Sequence, residues 1–351
     1  MMQELLRFGD RLLVRLKKQK DNLKIDAQAA ASGCLLIMLE DNEDFKNRMN
    51  KLVPRKKAAC PCGVGTVSRY CCQRQNGVFL KKPIVIYQNQ DFTPTGIANS
   101  KCLAKFTNDC VEKISGEHYF SKSILKQINL KTLNVGGSAW DRTSGPVGIN
   151  SLTVNCFCSR HNSMLHKLDS EAAKLFATIL RFHKELSSGE EYGPHYVLFN
   201  YLDIERWLVK ALLGASAAKL TKINGVFKGL NSDLIEPYLK FLFYGVQKNV
   251  DGAGLYFYAE DNILNIGKTF SFACQESDRT KQVEGCVIGL AGMNLNFSPR
   301  KISSLNGKNI SIDNYRPWRI TFGKTQPEKV IDFSPMVGRK NHKTIHILKK
   351  S

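Results

Sequence analysis

Leu5, Leu6, Leu12, Leu13 and Leu16 recur at near-helical spacing with Arg, Lys and Asp between them, which predicts a helical region over residues 1–57. Within it, Arg15-Leu-Lys-Lys-Gln-Lys20 reads as a solvated helix face, and Pro54 with Arg55-Lys56-Lys57 ends the region. Pro83-Ile-Val-Ile-Tyr87 is short, apolar and β-branched, so a strand is expected there, with turns at Pro94 and Gly96. A helical pattern runs from Ser170 to Leu186. A second occupies Val197 to Ala218, where Leu198, Tyr201, Leu202, Trp207, Leu208 and Leu212 share the period. From about Gly254 to Phe333 apolar and polar residues alternate, with turn signals such as Asn306-Gly307, which predicts an antiparallel sheet. The expected class is α+β. Its parts are a helical N-terminal region (1–57), a small cysteine motif (58–82), a mixed central region (83–190), a helical segment (191–245) and a β-rich C-terminal region with a basic tail (246–351).

Composition changes this picture in one respect. The chain of 351 residues carries 51 Lys and Arg against 31 Asp and Glu, a net charge of +20. A field of that sign recruits polyanions through counterion release, and nucleic acid is the commonest one inside cells. An apolar fraction of 43% with 19 Phe is enough to build cores and excludes wholesale disorder. The longest uncharged apolar run, Cys34-Leu-Leu-Ile-Met-Leu39, is far short of the ~20 residues a bilayer requires. Glu4, Arg7 and Asp10 stand where a signal peptide would be apolar, so a cytoplasmic protein with no membrane partner is expected.

Nine of the 11 cysteines fall between Cys34 and Cys158, and eight of those come in close pairs. In a reducing compartment such pairs bind metal more often than they oxidise, and zinc is the default ion. Cys60-Pro-Cys62-Gly-Val-Gly65 followed by Cys71-Cys72 offers four thiolates to one tetrahedral Zn²⁺, and Gly63 and Gly65 suit the tight turn after the first pair. This C-P-C-G-x-G-x5-C-C spacing resembles the SEC-C zinc motif, although only Arg69 remains of the basic residues usual before its last cysteines. The resemblance implies a closed, structural site. Adjacent Cys71 and Cys72 also raise a thiol redox sensor, which explains fewer of the four thiols.

Cys102 and Cys110 supply half of a second site, and Cys156-Phe-Cys158-Ser-Arg-His161 the other half. Cys158-x2-His161 is the best-spaced pair, with Cys156 competing for the place of Cys158. Between the halves lies Glu117-His118-Tyr-Phe-Ser-Lys122, and after them His161-Asn162-Ser-Met-Leu-His166-Lys-Leu-Asp169. This constellation resembles the HNH endonucleases, the His-Me finger or ββα-metal group. The resemblance covers about 70 of the 351 residues.

It implies a β-hairpin and helix clamped by a zinc knuckle, and metal-dependent hydrolysis of DNA phosphodiesters, a reading that does not exclude RNA in place of DNA. His118 would be the general base and Glu117 an acidic ligand of a catalytic Mg²⁺ or Mn²⁺. Asn162 and His166, four residues apart on one helical face, would complete the ion site. Asn150, or else Asn155, would orient the base, and Lys122 would contact phosphate. The insert between His118 and Cys156, with Gly136-Gly137-Ser138 and Trp140, is longer than the motif usually carries. A regulatory partner or trigger is expected for such an activity, and host defence fits by analogy with other HNH proteins. The competing expectation is a non-catalytic zinc module that binds nucleic acid or docks to a partner.

Three weaker features read as structural. His342-Lys-Thr-Ile-His346 lies in the basic tail. Asp203, Glu205 and Glu236 are spread along helical patterns as ion-pair partners. The C-terminal aromatics Tyr256, Phe257, Tyr258, Phe270, Phe272 and Trp318 fill a core.

Overall fold

The computed structural model describes residues 59–63, 71–72, 79–87, 93–127, 132–137, 142–191, 193–223, 226–246, 252–259, 270–290, 293–302, 304–305, 308–309, 315–323, 327–334 and 344–348. The chain divides into Met1–Arg55 and Lys56–Ser351, and everything described belongs to the second unit. The helical expectation for 1–57, the Asn306-Gly307 turn, Gly65, Arg69, Trp140 and His342 lie outside the described residues.

Among the described residues the fold is mixed α+β with four α-helices. A short 3-10 turn at Lys105–Thr107 precedes β1 (Ile114–His118), α1 (Lys122–Gln127), β2 (Thr132–Gly137) and β3 (Arg142–Gly148). Then come β4 (Thr153–Cys158) and α2 (Ser159–Ser188) without a loop between them. β1 pairs antiparallel with β4, and β2 with β3, so the long insert forms its own hairpin between the two halves of another. α2 begins at Cys158, whose backbone is still extended. It ends at Gly189, where φ is +77° and the amide returns to Glu185 O. Leu165, Leu168, Ala172, Phe176, Ile179 and Phe182 make its buried stripe.

The next elements are β5 (Tyr196–Asn200), α3 (Tyr201–Ala217) and α4 (Ser232–Tyr244). The single helical pattern expected from Val197 to Ala218 is thus a strand followed by a helix. Two interactions divide it. Tyr196–Asn200 is buried throughout and pairs in parallel with a late strand, so its backbone is taken by a sheet. The Asn200 side chain then accepts from Leu202 N at 2.9 Å and starts the helix. α3 is buried along nearly its whole length and packs against α2, α4 and β4. Its charges are paired: Asp203 with Arg206 at 3.7 Å, and Glu205 with Arg316 at 2.5 Å. The strand expected at 83–87 does not form. α3 side chains take its backbone instead, Asp203 Oδ1 accepting from Ile84 N at 2.9 Å and Arg206 Nη1 donating to Ile84 O at 2.5 Å.

The C-terminal strands are β6 (Gly254–Ala259), β7 (Ser271–Glu276), β8 (Val283–Leu290), β9 (Met293–Ser298), β10 (Arg319–Gly323), β11 (Pro327–Ser334) and β12 (Thr344–Leu348). β6-β9-β8-β7 is the expected antiparallel sheet. The remaining strands depart from that expectation: the order β12-β10-β11-β5 contains parallel β10/β12 and β11/β5 pairs, and β5 comes from the preceding segment. The sequence around His346, read as tail, is the edge strand β12, with Ile345 and Ile347 buried. Phe257 meets Phe333 at 5.1 Å, which joins the two sheets, and Tyr256 and Phe257 are fully buried as core filling requires. Among the described residues no helix is long and apolar enough to cross a membrane.

Candidate metal centres and the His118 site

Two clusters of the described residues bring four metal-ligand atoms within 4.8 Å of one another, Cys60/Cys62/Cys71/Cys72 and Cys102/Cys110/Cys158/His161. Both can hold a metal ion, and both are the sets the spacing predicts. A tetrahedral Zn–S₄ centre with bonds of about 2.3 Å puts its sulfurs ~3.8 Å apart. In the first cluster Cys62 Sγ lies 3.3 Å from Cys60 and 3.4 Å from Cys71, and Cys71 lies 3.6 Å from Cys72, slightly tighter than an ion would set them. Gly63 takes φ +82° and donates its amide to Cys60 O at 3.0 Å, which is the tight turn expected after the first pair. Leu198 N donates to Pro61 O at 3.1 Å and Lys174 Nζ to Cys62 O, so this loop docks on β5 and α2.

The second cluster is buried at all four positions. Cys158 is its third thiol and Cys156 stands outside it. The reason is a β-bulge: Ser115 pairs with Phe157 while Gly116 pairs with Asn155, so Cys156 is the unpaired extra residue. Nδ1 of His161 lies 3.1, 3.5 and 3.8 Å from the sulfurs of Cys158, Cys102 and Cys110. A mixed zinc site places nitrogen and sulfur about 3.6 Å apart.

The second shell fixes which nitrogen faces the thiols. Nε2 of His161 sits 2.6 Å from the Tyr87 hydroxyl and 2.9 Å from the Thr107 hydroxyl. The Tyr87 hydroxyl also meets Asp109 Oδ2 at 3.2 Å and that of Thr107 donates to Ala104 O at 2.8 Å, so both oxygens are placed to accept an Nε2 hydrogen. In that tautomer Nδ1 turns its lone pair to the sulfurs. Burial lowers the His161 pKa to about 4, which keeps the ring neutral, as a ligand must be. Burial also pushes Cys102 up to about 12, so metal uptake releases protons and strengthens as pH rises. Zinc analysis is expected to find two ions per chain. Tyr87→Phe combined with Thr107→Val should weaken the second by about 10- to 100-fold in chelator competition. Unchanged affinity would remove the hydroxyls from that role.

The knuckle lies at the start of α2, and this brings the other predicted residues near one another. Asn162 donates Nδ2 to Ser115 Oγ at 2.9 Å, and His166, exposed one turn on, faces Ser170 Oγ at 3.3 Å. His118 ends β1 opposite Thr153. Its ring N–H donates a hydrogen bond to the backbone carbonyl of Ile149, while Nε2 is buried with no hydrogen-bond partner. Burial, then the charges of Lys122 and Lys210, hold its pKa below the ordinary histidine value. Asn150 is exposed in the 3-10 turn next to Ile149, and Asn155 is exposed on β4 opposite Gly116.

Glu117 faces away from these groups into the core. Its Oε1 takes Lys210 Nζ at 2.5 Å, and the same ammonium meets Asp169 Oδ2 at 2.5 Å. Ser121 Oγ donates to Asp169 and accepts from Trp207 Nε1 at 2.8 Å. Burial raises Glu117 to about 7 even though Lys210 opposes the shift. Burial alone would lower Lys210, but Asp169 and Glu117 outweigh it and hold the ammonium above the usual lysine range. Lys210 had no place in the sequence reading. Its only signal is a lone cation within the apolar run Trp207-Leu-Val-Lys-Ala-Leu-Leu213. None of the known protein families, curated proteins or solved structures matches this chain.

Proposed function

We propose that residues 114–188 form an HNH-type ββα-metal core and that the protein hydrolyses phosphodiester bonds of DNA in a metal-dependent reaction. One observation carries the reading: β1 ends in His118, pairs antiparallel with β4, and β4 runs directly into α2 with Asn162 and His166 in its first turns. A phosphodiester resists water because its charge repels nucleophiles and its leaving alkoxide is poor. A neutral histidine with an uncommitted nitrogen can take a proton from the attacking water, and His118 has both properties. The backbone contact at Ile149 holds the ring, and the strand pairing holds the backbone.

Asn162 and His166 would hold the divalent ion, since an amide oxygen and an imidazole one turn apart suit Mg²⁺ or Mn²⁺ with phosphate oxygens in the remaining positions. Such an ion supplies charge neutralisation at the phosphate and at the leaving oxygen. Glu117, taken by Lys210, enters the proposal as the inward anchor of the strand next to His118. Lys122, whose charge reaches His118, is placed to contact phosphate. The two cysteine clusters hold structural zinc in this reading. The same Glu117–Lys210 pair favours the second reading, a zinc module that binds nucleic acid without cutting it, because it removes an acidic donor from the ion site.

Supercoiled plasmid incubated with the zinc-loaded protein decides between them. Nicking or linearisation with Mg²⁺ or Mn²⁺ that stops in EDTA is expected. Salt-sensitive binding without cleavage under every metal would support the zinc module.

A further inference from the structure

Among the described residues three aromatic side chains belong to the large apolar groups left exposed: Phe106, Phe227 and Tyr244. Two of them touch. Phe106 and Tyr244, 37% and 43% exposed, meet with ring centroids 6.2 Å apart and planes at 70°. Apolar residues scattered singly over a surface are ordinary, whereas two rings brought together in water from distant parts of the chain make a patch. Phe106 stands in the 3-10 turn between Cys102 and Cys110, and Tyr244 is the last residue of α4. The corner they make is held from behind by the second metal cluster. The turn closes through Thr107 N to Ala104 O and Asn108 N to Lys105 O, both at 3.1 Å, and Thr107 Oγ1 lies 2.9 Å from His161 Nε2. On the other side Tyr244 packs on Tyr87 at 5.3 Å, Tyr87 on Phe243 at 5.9 Å, and Phe243 on His161 at 5.2 Å. Both rings are thus anchored to one buried histidine, so a ligand finds them in place and little freedom is lost when it binds.

The charge around the corner selects the ligand. From Thr93 to Lys113 the exposed charged residues are Lys101, Lys105 and Lys113 against Glu112, and Lys105 directly precedes Phe106. Asp109 is buried and paired with Arg160 at 2.8 Å, and on α4 Glu236 is paired with Lys240 at 2.6 Å. The surplus is lysine, which protein–protein interfaces avoid, and two rings offer far less than the ~800 Å² that a stable protein partner covers. A polyanion that carries flat apolar groups suits both the lysines and the rings.

We infer that Phe106 and Tyr244 form a stacking corner for a base of single-stranded nucleic acid, with the lysines of the loop attracting its phosphates. A base lying flat on one ring meets the other edge-on, as the 70° angle requires. In a duplex the faces of the bases are already covered by their neighbours, so a single strand or a frayed end is the ligand. Such binding is independent of the phosphodiesterase proposal, since it needs neither His118 nor a catalytic ion.

Fluorescence-anisotropy titration of the full zinc-loaded chain, without Mg²⁺ or Mn²⁺ and at one salt concentration, tests this with labelled strands of about twelve nucleotides. The strands are oligothymidylate, oligouridylate and an abasic deoxyribose strand of equal length. Tighter binding of at least one base-bearing strand than of the abasic strand is expected. Phe106→Ala combined with Tyr244→Ala should weaken that binding by about 5- to 150-fold, the factor one stacked base carries, and leave the abasic strand unchanged. Zinc content equal to that of the wild type shows that the double variant keeps its metal clusters. Phe106→Trp keeps a ring in place, so it should retain the affinity, and its added indole emission should be quenched by base-bearing strands and not by the abasic one. The tighter of the two base-bearing strands assigns the ligand to DNA or RNA. Equal affinity for all three strands, no binding of any, or binding that the double variant leaves unchanged with no quenching in Phe106→Trp would overturn the inference and leave the two rings to a partner of another kind.

Discussion

His118→Ala abolishes metal-dependent plasmid cleavage while leaving DNA affinity within about twofold of the wild type. The size of the loss follows from the role: removing a positioned general base typically costs ~10²–10⁴-fold. Affinity should hold because attraction by a +20 chain is spread over many Lys and Arg, and His118 is neutral at pH 7. The pH profile gives a further check. A base works only when deprotonated, and burial with Lys122 and Lys210 moves the His118 pKa down. Activity should therefore persist as pH falls through 6.5 and disappear only below it, instead of halving near the value of a free imidazole. Zinc content and melting temperature of the variant must match the wild type, since His118 belongs to neither cysteine cluster. Residual cleavage at wild-type rate would remove His118 from the mechanism. Loss of cleavage together with loss of zinc would show a folding defect.

What could be read from the sequence depended on how local the cause was. Each cysteine cluster is built from pairs close in the chain, and a tetrahedral ion tolerates few spacings. For that reason seven of the eight residues that can hold an ion, including His161 in place of a fourth cysteine, were legible before any fold was known. The choice between Cys156 and Cys158 was not, because it depends on a bulge opposite Ser115 on another strand. The antiparallel β6–β9 sheet announced itself by alternation. β5 did not, because a strand buried on both faces shows a continuous apolar run, and its parallel partner β11 lies more than a hundred residues away in sequence. Separation along the chain also hid Lys210. Whether a lysine in an apolar helix reaches solvent or meets two carboxylates is decided by tertiary packing, and both its partners lie on other elements.

Lys210→Met is expected to destabilise the protein by about 3–5 kcal/mol in urea unfolding at pH 8, although it makes α3 more apolar. The cause is what the lysine leaves behind: the buried carboxylate of Glu117 and the half-buried one of Asp169, both without their shared cation. Lys210 is 2% exposed, so solvent cannot take its place. Adding Glu117→Gln and Asp169→Asn to Lys210→Met should restore most of the loss, because the damage lies in unpaired charge and the triple variant has none. Additive losses across the three positions would contradict this coupling. The pH dependence has a definite sign. Glu117 has a folded value of about 7 against an ordinary 4.5, so the stability linked to its protonation is complete below 4.5 and is lost as pH rises through 7. Without Lys210 the opposing attraction is gone, the folded value rises further, and the deficit of Lys210→Met should shrink on acidification toward pH 5. A deficit independent of pH would mean that Lys210 acts by packing its alkyl stem. Because Glu117 and His118 are consecutive on β1, the same variant should also lower cleavage at temperatures where it remains folded, with the triple variant recovering stability first and activity only in part. That separation would distinguish a strand held in place by charge from one held by packing alone.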